Sequence, residues 1–139
     1  MSVRPQGIHE TVLYGEDLDA LERFYREVVG LRMVSRVEER SRGFRVSASQ
    51  VLLVFRASVT RRGHPMVPTH WATGEGHVAF SIERGAYEAW RERMVNAGVE
   101  IEQEVQWEPL DGMERGRSLY VRDPAGNSVE FIEGEVWPA

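Results

Sequence analysis

Two histidines and one glutamate are the residues of this chain whose types and positions best suit metal chemistry. His9 and His77 each lie near the start of a strand-like segment, and His9 to Gly30 and His77 to Gly98 both span 21 residues. Glu130 lies in a segment where polar and apolar residues alternate, and a carboxylate among apolar neighbours needs a partner because an unpaired buried charge is costly. Two imidazoles and one carboxylate can hold a divalent ion and leave positions open for substrate. The three residues are therefore predicted metal ligands.

The residue types that the chain lacks narrow the chemistry further. There is no cysteine, and all 17 basic residues are arginine. The absence of cysteine excludes disulfides, thiolate metal sites, iron–sulfur clusters and a cysteine nucleophile. The absence of lysine excludes a Schiff base and a P-loop lysine. A metal site in this chain must use nitrogen and oxygen ligands.

Length and charge indicate a small globular protein of one domain. The chain has 139 residues, a net charge of −5, 42% hydrophobic and 28% charged residues. Its pI of about 5.4 argues against nucleic-acid binding, which favours basic surfaces. No apolar run approaches the roughly 20 residues of a membrane span, and the N-terminus has no apolar signal region. We expect a cytoplasmic protein with no membrane or nucleic-acid partner.

A repeated pattern of elements must position the candidate ligands. In each half a strand is followed by an apolar helical stripe, a glycine and three further strands, which gives a βαβββ pattern. The stripes are Leu18, Leu21, Tyr25 and Val28 in the first half, and Tyr87, Trp90, Met94 and Ala97 in the second. The predicted strands are Ile8–Tyr14, Leu31–Glu38, Gly43–Ala48, Gln50–Arg56, His77–Ile82, Val99–Trp107, Gly116–Arg122 and Ser128–Glu133. Asp17 is the predicted N-cap of the first helix.

The two repeats predict a single domain over residues 1–139. The modules cover residues 8–56 and 77–133, and residues 57–76 form a linker with Gly63, Pro65, Pro68 and Gly74. A connection of this length often forms a functional lid or linker. The run Asp123-Pro124-Ala125-Gly126-Asn127 is predicted to turn the chain between the last two strands, because proline, glycine and asparagine favour tight turns.

Several of these motifs resemble the vicinal oxygen chelate superfamily, which includes glyoxalase I, extradiol dioxygenases, and fosfomycin- and bleomycin-resistance proteins. They are Ile8-His9, Phe24-Tyr25 through Gly30-Leu31, Gly76-His77-Val78-Ala79-Phe80, and Asp123 through Phe131. The resemblance implies an α+β fold in which two βαβββ modules form a curved, barrel-like mixed sheet. It implies His9, His77 and Glu130 as ligands of Fe(II), Mn(II), Ni(II) or Zn(II), a substrate that chelates the ion through adjacent oxygens, and a homodimer.

The resemblance leaves several reactions open. Aligning the last strands of the two halves sets Leu52 opposite Glu130, and leucine cannot coordinate the metal where glyoxalase I has a fourth ligand. A three-ligand set favours ring-cleaving dioxygenation over isomerisation or epoxide opening, and the lack of lysine weakens the transferase form of fosfomycin resistance. The alternatives are an epoxide-opening enzyme of the fosfomycin-resistance type and a metal-free protein that binds a bleomycin-type drug.

Two further residues are candidates for catalysis. Tyr120 lies ten residues before Glu130, and by resemblance its hydroxyl would contact the metal-bound substrate oxygens, where a phenol can stabilise an oxyanion. His64 and His70 lie in the linker, and either could act as an acid or base. His70 is preferred because the neighbouring Trp71 could line a pocket. A core tyrosine and exposed histidines are the competing interpretations.

Overall fold

Two compact units make up the chain, and each contains one four-stranded mixed sheet. The computed structural model describes residues 2–139; the N-terminal unit extends to Gly74 and the C-terminal unit begins at Glu75. The N-terminal unit contains β1 (Glu10–Tyr14), α1 (Leu18–Arg23) with a π-helical turn (Phe24–Val28), β2 (Arg32–Val37), β3 (Ser41–Arg45), β4 (Val51–Phe55) and α2 (Ala57–Thr60). The C-terminal unit contains β5 (His77–Ile82), α3 (Tyr87–Asn96), β6 (Gln103–Gln106), β7 (Arg117–Arg122) and β8 (Ser128–Glu133).

Both sheets have the same topology, which confirms the predicted βαβββ repeat. The strand orders are β1-β4-β3-β2 and β5-β8-β7-β6. In each unit the first strand is parallel to the last, and the other neighbours are antiparallel. The helix ends follow the sequence signals: Asp17 accepts a hydrogen bond from the backbone of Ala20, and Gly30 and Gly98 have φ values of 88° and 72°. The last three predicted strands of each half are present, and α2 begins the predicted linker.

In the N-terminal unit, α1 and its π-helical turn cover one face of the sheet. Leu13 and Val54 are neighbours on β1 and β4 and are both buried. Phe44 on β3 lies 5.7 Å, centroid to centroid, from the ring of Tyr25. The Arg42 guanidinium on β3 donates to Glu22 of α1 over 2.8 Å, in a pair that is almost fully buried. Packing and charge pairing therefore fix α1 to this face.

In the C-terminal unit, α3 covers the face of β8 that carries Val129 and Phe131. The ring of Trp90 on α3 stacks on Phe131 with a centroid separation of 4.5 Å. Side chains alternate along a strand, so Glu130 points to the opposite face. Its cross-strand neighbour on β7 is Tyr120. For the second half of the chain, the predicted strands and helix are therefore confirmed. The predicted faces of Val129, Glu130 and Phe131 on β8 are also confirmed.

The register of the two sheets corrects the proposed equivalence of His9 and His77. The backbone N–H of Ser128 donates to Gly76, and that of Val51 donates to His9, so His9 corresponds to Gly76 and Glu10 corresponds to His77. The equal 21-residue spacing arose because β5 and the connection after it are together two residues longer than β1 and its connection, whereas the helical segment is one residue shorter.

The same correction applies to the residue of the first repeat that corresponds to Glu130. His77 pairs with Ser128 and Glu10 pairs with Val51, so the position two residues further along the last strand is Glu130 in one unit and Leu53 in the other. Leu52, which the sequence alignment set opposite Glu130, is fully buried and pairs with Phe44 on the side of α1. The corrected position still carries a leucine, which cannot coordinate a metal.

Candidate functional site

His77 and Glu130 lie side by side on the face of the C-terminal sheet that α3 leaves open. His77 Nε2 is 3.2 Å from Glu130 Oε1, and the side chains are 51% and 7% exposed. Two ligands bound to one ion at roughly 2.0–2.2 Å are separated by about 2.8–3.1 Å in octahedral geometry and about 3.3–3.6 Å in tetrahedral geometry, which together bracket the observed value.

The backbone of β8 fixes the tautomer of His77. The imidazole Nδ1 lies 3.1 Å from the carbonyl oxygen of Ser128. A carbonyl only accepts hydrogen bonds, so Nδ1 must carry the proton, and in the neutral ring Nε2 then has a free lone pair. That lone pair faces a carboxylate oxygen, and two acceptors at this distance need a proton or a cation between them. A histidine whose other nitrogen donates to a carbonyl is also the usual arrangement at metal sites.

The Glu130 carboxylate is buried, and its neighbours on β7 satisfy it. Ser118 Oγ donates to Oε2 over 2.5 Å, and Tyr120 also donates a hydrogen bond to the carboxylate. Trp107, on the segment after β6, donates from Nε1 to Ser118 Oγ over 2.8 Å. These hydrogen bonds replace those to water that the carboxylate oxygens lose on burial.

Tyr120 is held as a neutral phenol. Burial raises its pKa, and the hydrogen bond to Glu130 and that residue's charge raise it further, to about 12, against a smaller opposing effect from Ser118. Its ring stacks beside the His77 imidazole, with centroids 6.4 Å apart and an interplanar angle of 23°. A phenol with this pKa remains a hydrogen-bond donor at neutral pH.

The predicted turn before β8 also holds the start of β5. Asp123 is buried, and its Oδ1 accepts from the backbone of Ala125 and Asn127. The Asn127 side chain in turn accepts from the N–H of Gly76 over 2.8 Å. Gly76 precedes His77 directly, so this turn fixes the backbone on which both His77 and Glu130 stand.

A pocket of about 330 Å³ opens beside the pair. Its walls are largely aromatic and aliphatic, and three aromatic side chains take part: Trp107, Tyr120 and Trp137. Arg115 is its cationic residue; the guanidinium lies over the Trp107 ring, 5.4 Å from the centroid, and donates to the carbonyl of Glu108. An apolar pocket with a few convergent polar groups suits a small organic ligand.

The other predicted site residues lie in the N-terminal unit. His9 is exposed, beside an open, polar depression with Gln50. His70 Nδ1 is 2.6 Å from the Tyr14 hydroxyl, and its ring meets Phe55 edge-on. His64 is exposed and accepts from the backbone of Met66. Within residues 2–139, no group of three or more histidine, aspartate or glutamate side chains is arranged as a metal cluster. The roles predicted for His9 and His70 stay predictions.

Sequence reasoning missed Ser118 and Arg115. Ser118 lies two residues before Tyr120 in a strand, so alternation places both on the face of Glu130, and that signal was available. The position of Arg115 depends on an irregular segment between β6 and β7, which leaves no periodic signal.

The chain belongs to the glyoxalase/bleomycin resistance protein/dioxygenase superfamily. The sequence model of that superfamily matches residues 7–131. A comparison with curated protein sequences gave no match. Within residues 2–139, none of the helices has the length and hydrophobicity that a bilayer span requires.

Solved structures support the same assignment. A lactoylglutathione lyase from Agrobacterium tumefaciens is 38% identical, with a TM-score of 0.86 over 97% of this chain and 98% of that one. A putative glyoxalase family protein from Bacillus anthracis is 19% identical, with a TM-score of 0.70 over 97% and 100%. A glyoxalase/bleomycin resistance protein/dioxygenase from Nocardioides is 22% identical, with a TM-score of 0.70 over 99% and 89%. The last two are similar in fold.

Proposed function

We propose that this chain is a divalent-metal-dependent enzyme of the vicinal oxygen chelate type, acting on a small molecule that presents two adjacent oxygens. The observation that carries the proposal is the pair of acceptors, His77 Nε2 and Glu130 Oε1, 3.2 Å apart. The carbonyl of Ser128 accepts a hydrogen bond from Nδ1, and with the imidazole neutral a cation bound between Nε2 and Oε1 would satisfy both acceptors. Nitrogen and oxygen donors suit Fe(II), Mn(II), Ni(II) and Zn(II).

A further ligand is proposed to come from one of two adjacent residues near the start of the first repeat. The sequence predicts His9, and the sheet register gives Glu10 the position of His77. Imidazole and carboxylate are both suitable ligands for these ions. Separate His9→Ala and Glu10→Ala variants distinguish them, because only the ligand's loss should weaken metal binding.

The proposed reaction is a proton transfer of the lyase or isomerase class. The bound ion would act as a Lewis acid that stabilises negative charge on the substrate oxygens. Glu130 can take a proton from a carbon next to those oxygens, and the neutral Tyr120 hydroxyl can donate to an oxygen that becomes anionic. The 38% identity to a lactoylglutathione lyase favours this class.

Ring-cleaving dioxygenation is the second candidate. It is favoured by Leu53, which occupies the position of Glu130 in the N-terminal sheet and leaves a three-ligand set. A facial set of two histidines and one carboxylate is typical of non-haem iron oxygenases. A set with Glu10 would have one histidine and two carboxylates and would count against this candidate.

Metal content and activity test the proposal together. The protein is purified without chelator or nickel resin, analysed for bound metal, and loaded anaerobically with Fe(II), Mn(II), Ni(II) or Zn(II). Each form is assayed with the methylglyoxal–glutathione adduct, with catechols in the presence of oxygen, and with fosfomycin. We expect one ion per chain and turnover of the glutathione adduct.

The outcomes separate the candidate functions. Catechol cleavage by the Fe(II) form alone would favour dioxygenation. Protein that stays metal-free after loading contradicts both enzymatic proposals, and quenching of its tryptophan fluorescence by bleomycin would then identify a drug-binding protein.

A further inference from the structure

A hydrogen-bond chain of two residues ends on the Glu130 carboxylate. Trp107 Nε1 donates to Ser118 Oγ, and Ser118 Oγ donates to Glu130 Oε2. An indole nitrogen can only donate and a carboxylate can only accept, so the direction of both bonds is fixed. The Ser118 hydroxyl has one proton, and that proton is committed to Glu130.

The hydrogen-bond chain determines which carboxylate oxygen of Glu130 the protein holds in place. Ser118 is fully buried, and its 2.5 Å contact with Oε2 has the length of a charge-assisted hydrogen bond. Oε1 is the oxygen that faces His77 Nε2. The carboxylate is therefore anchored through one oxygen and presents the other to the imidazole.

Trp107 has a second role because its indole is also a wall of the pocket. The Arg115 guanidinium lies over the same ring, 5.4 Å from its centroid. The same indole therefore lines the pocket and donates to the hydroxyl that holds Glu130 Oε2.

We infer that Ser118 and Trp107 are positioning residues: they orient Glu130 so that Oε1 faces a cation. The role toward a cation rests on the proposed function, whereas the hydrogen-bond chain does not. Loss of a residue that orients a ligand typically lowers metal affinity roughly 10- to 100-fold.

The first test measures Mn²⁺ affinity by calorimetry in the full chain. We expect Ser118→Ala to weaken binding roughly 10- to 100-fold and Trp107→Phe to weaken it by a smaller factor. The double variant should match Ser118→Ala, because the indole has nothing to act through once the hydroxyl is gone. If the double variant shows the product of the two separate losses of Mn²⁺ affinity, Trp107 does not act through Ser118 and the inference is overturned.

Three further variants separate hydrogen bonding from packing. Ser118→Cys nearly conserves volume but supplies only a weak donor, so it should lose affinity much as Ser118→Ala does; wild-type affinity in Ser118→Cys would overturn the inference. Trp90→Phe and Ser81→Ala are matched controls, since Trp90 packs on Phe131 and Ser81 is exposed. Both should bind Mn²⁺ as the wild type does.

The second test needs no metal. In ¹⁵N-labelled protein, Glu130→Ala should shift the indole N–H resonance of Trp107, and the same substitution in a Ser118→Ala background should not. An unchanged Trp107 resonance in Glu130→Ala would overturn the inference even if the protein binds metal. A shifted Trp107 resonance in protein that binds no Mn²⁺ would support the hydrogen-bond chain and overturn the proposed function instead.

Discussion

The Nε2 atom of His77 and the Oε1 atom of Glu130 are 3.2 Å apart, while the Nδ1 proton of the same imidazole is directed at the carbonyl of Ser128. The other polar atom of each side chain is hydrogen-bonded within the protein: His77 Nδ1 to the backbone, and Glu130 Oε2 to Ser118. The two facing atoms are both acceptors in the neutral imidazole form. This arrangement makes the pair the centre of the proposed function.

Replacement of His77 should remove a direct ligand of the proposed cation. We expect His77→Ala to weaken Mn²⁺ binding by at least about 100-fold, because even a residue that only orients a ligand costs roughly 10- to 100-fold. Calorimetry or equilibrium dialysis measures the effect. His64→Ala is the control, since His64 is exposed and contacts the backbone of Met66. Equal affinities in the two variants would contradict the assignment.

Tyr120 should ionise far above a free tyrosine. Its pKa is raised to about 12 by burial and then by Glu130. The difference between the spectrophotometric titration curves of the wild type and Tyr120→Phe should therefore show one phenol that ionises near that pH. A folded-state pKa above the ordinary value of about 10 means that the contribution to stability is complete below pH 10 and is lost as the pH rises towards 12. Ionisation of this phenol near pH 10 would contradict the geometry.

Glu133 should stabilise α3 in a pH-dependent way. Its Oε2 accepts from the backbone of Gly85 and Tyr87 at the start of the helix, where Ala86 offers no side-chain cap. Burial raises the pKa of Glu133, but the hydrogen bonds from Tyr87 and Gly85 and the charge of Arg117 outweigh it and lower the pKa overall. We expect Glu133→Gln to cost about 1 kcal/mol at pH 7.

The sign of that effect can be tested by acidification. A lowered pKa gives stability that is present above the unfolded-state value and is lost as the pH falls through the folded-state value. The difference in unfolding free energy between wild type and Glu133→Gln should therefore shrink below about pH 4.5. Glu92→Gln is the control, because Glu92 is an exposed residue further along the same helix. A difference that grows in acid would contradict this role.

Gly116 should not tolerate a side chain. A Cβ at this position would lie 1.7 Å from the carbonyl oxygen of Glu133, and the Gly116 carbonyl accepts from the backbone of Trp107. Relief of the clash must move backbone, so we expect Gly116→Ala to cost about 3 kcal/mol or more, measured by chemical denaturation. Gly7→Ala meets no atom within 4 Å and should be neutral. Similar stabilities of the two variants would contradict the close approach.

The sequence predicted the repeat and the strands of the second half well because those features are local. Alternation along β8 predicted the face of Glu130, and Tyr120 lies opposite it in the structure. The first half was misaligned by one residue because a longer connection and a shorter helical segment nearly cancelled, and an offset of one exchanges the faces of a strand. The contact between Tyr14 and His70 joins residues 56 apart, and no periodicity indicates such a pair.

Crystals grown with Mn²⁺ and measured for anomalous scattering would show whether His77 and Glu130 share a metal ion. We expect a peak bonded to both His77 Nε2 and Glu130 Oε1, at roughly 2.0–2.2 Å from each. The same crystals would identify the further ligand as His9 or Glu10. A manganese-loaded structure with no peak between those two atoms, or with the ion bound elsewhere, would contradict the account.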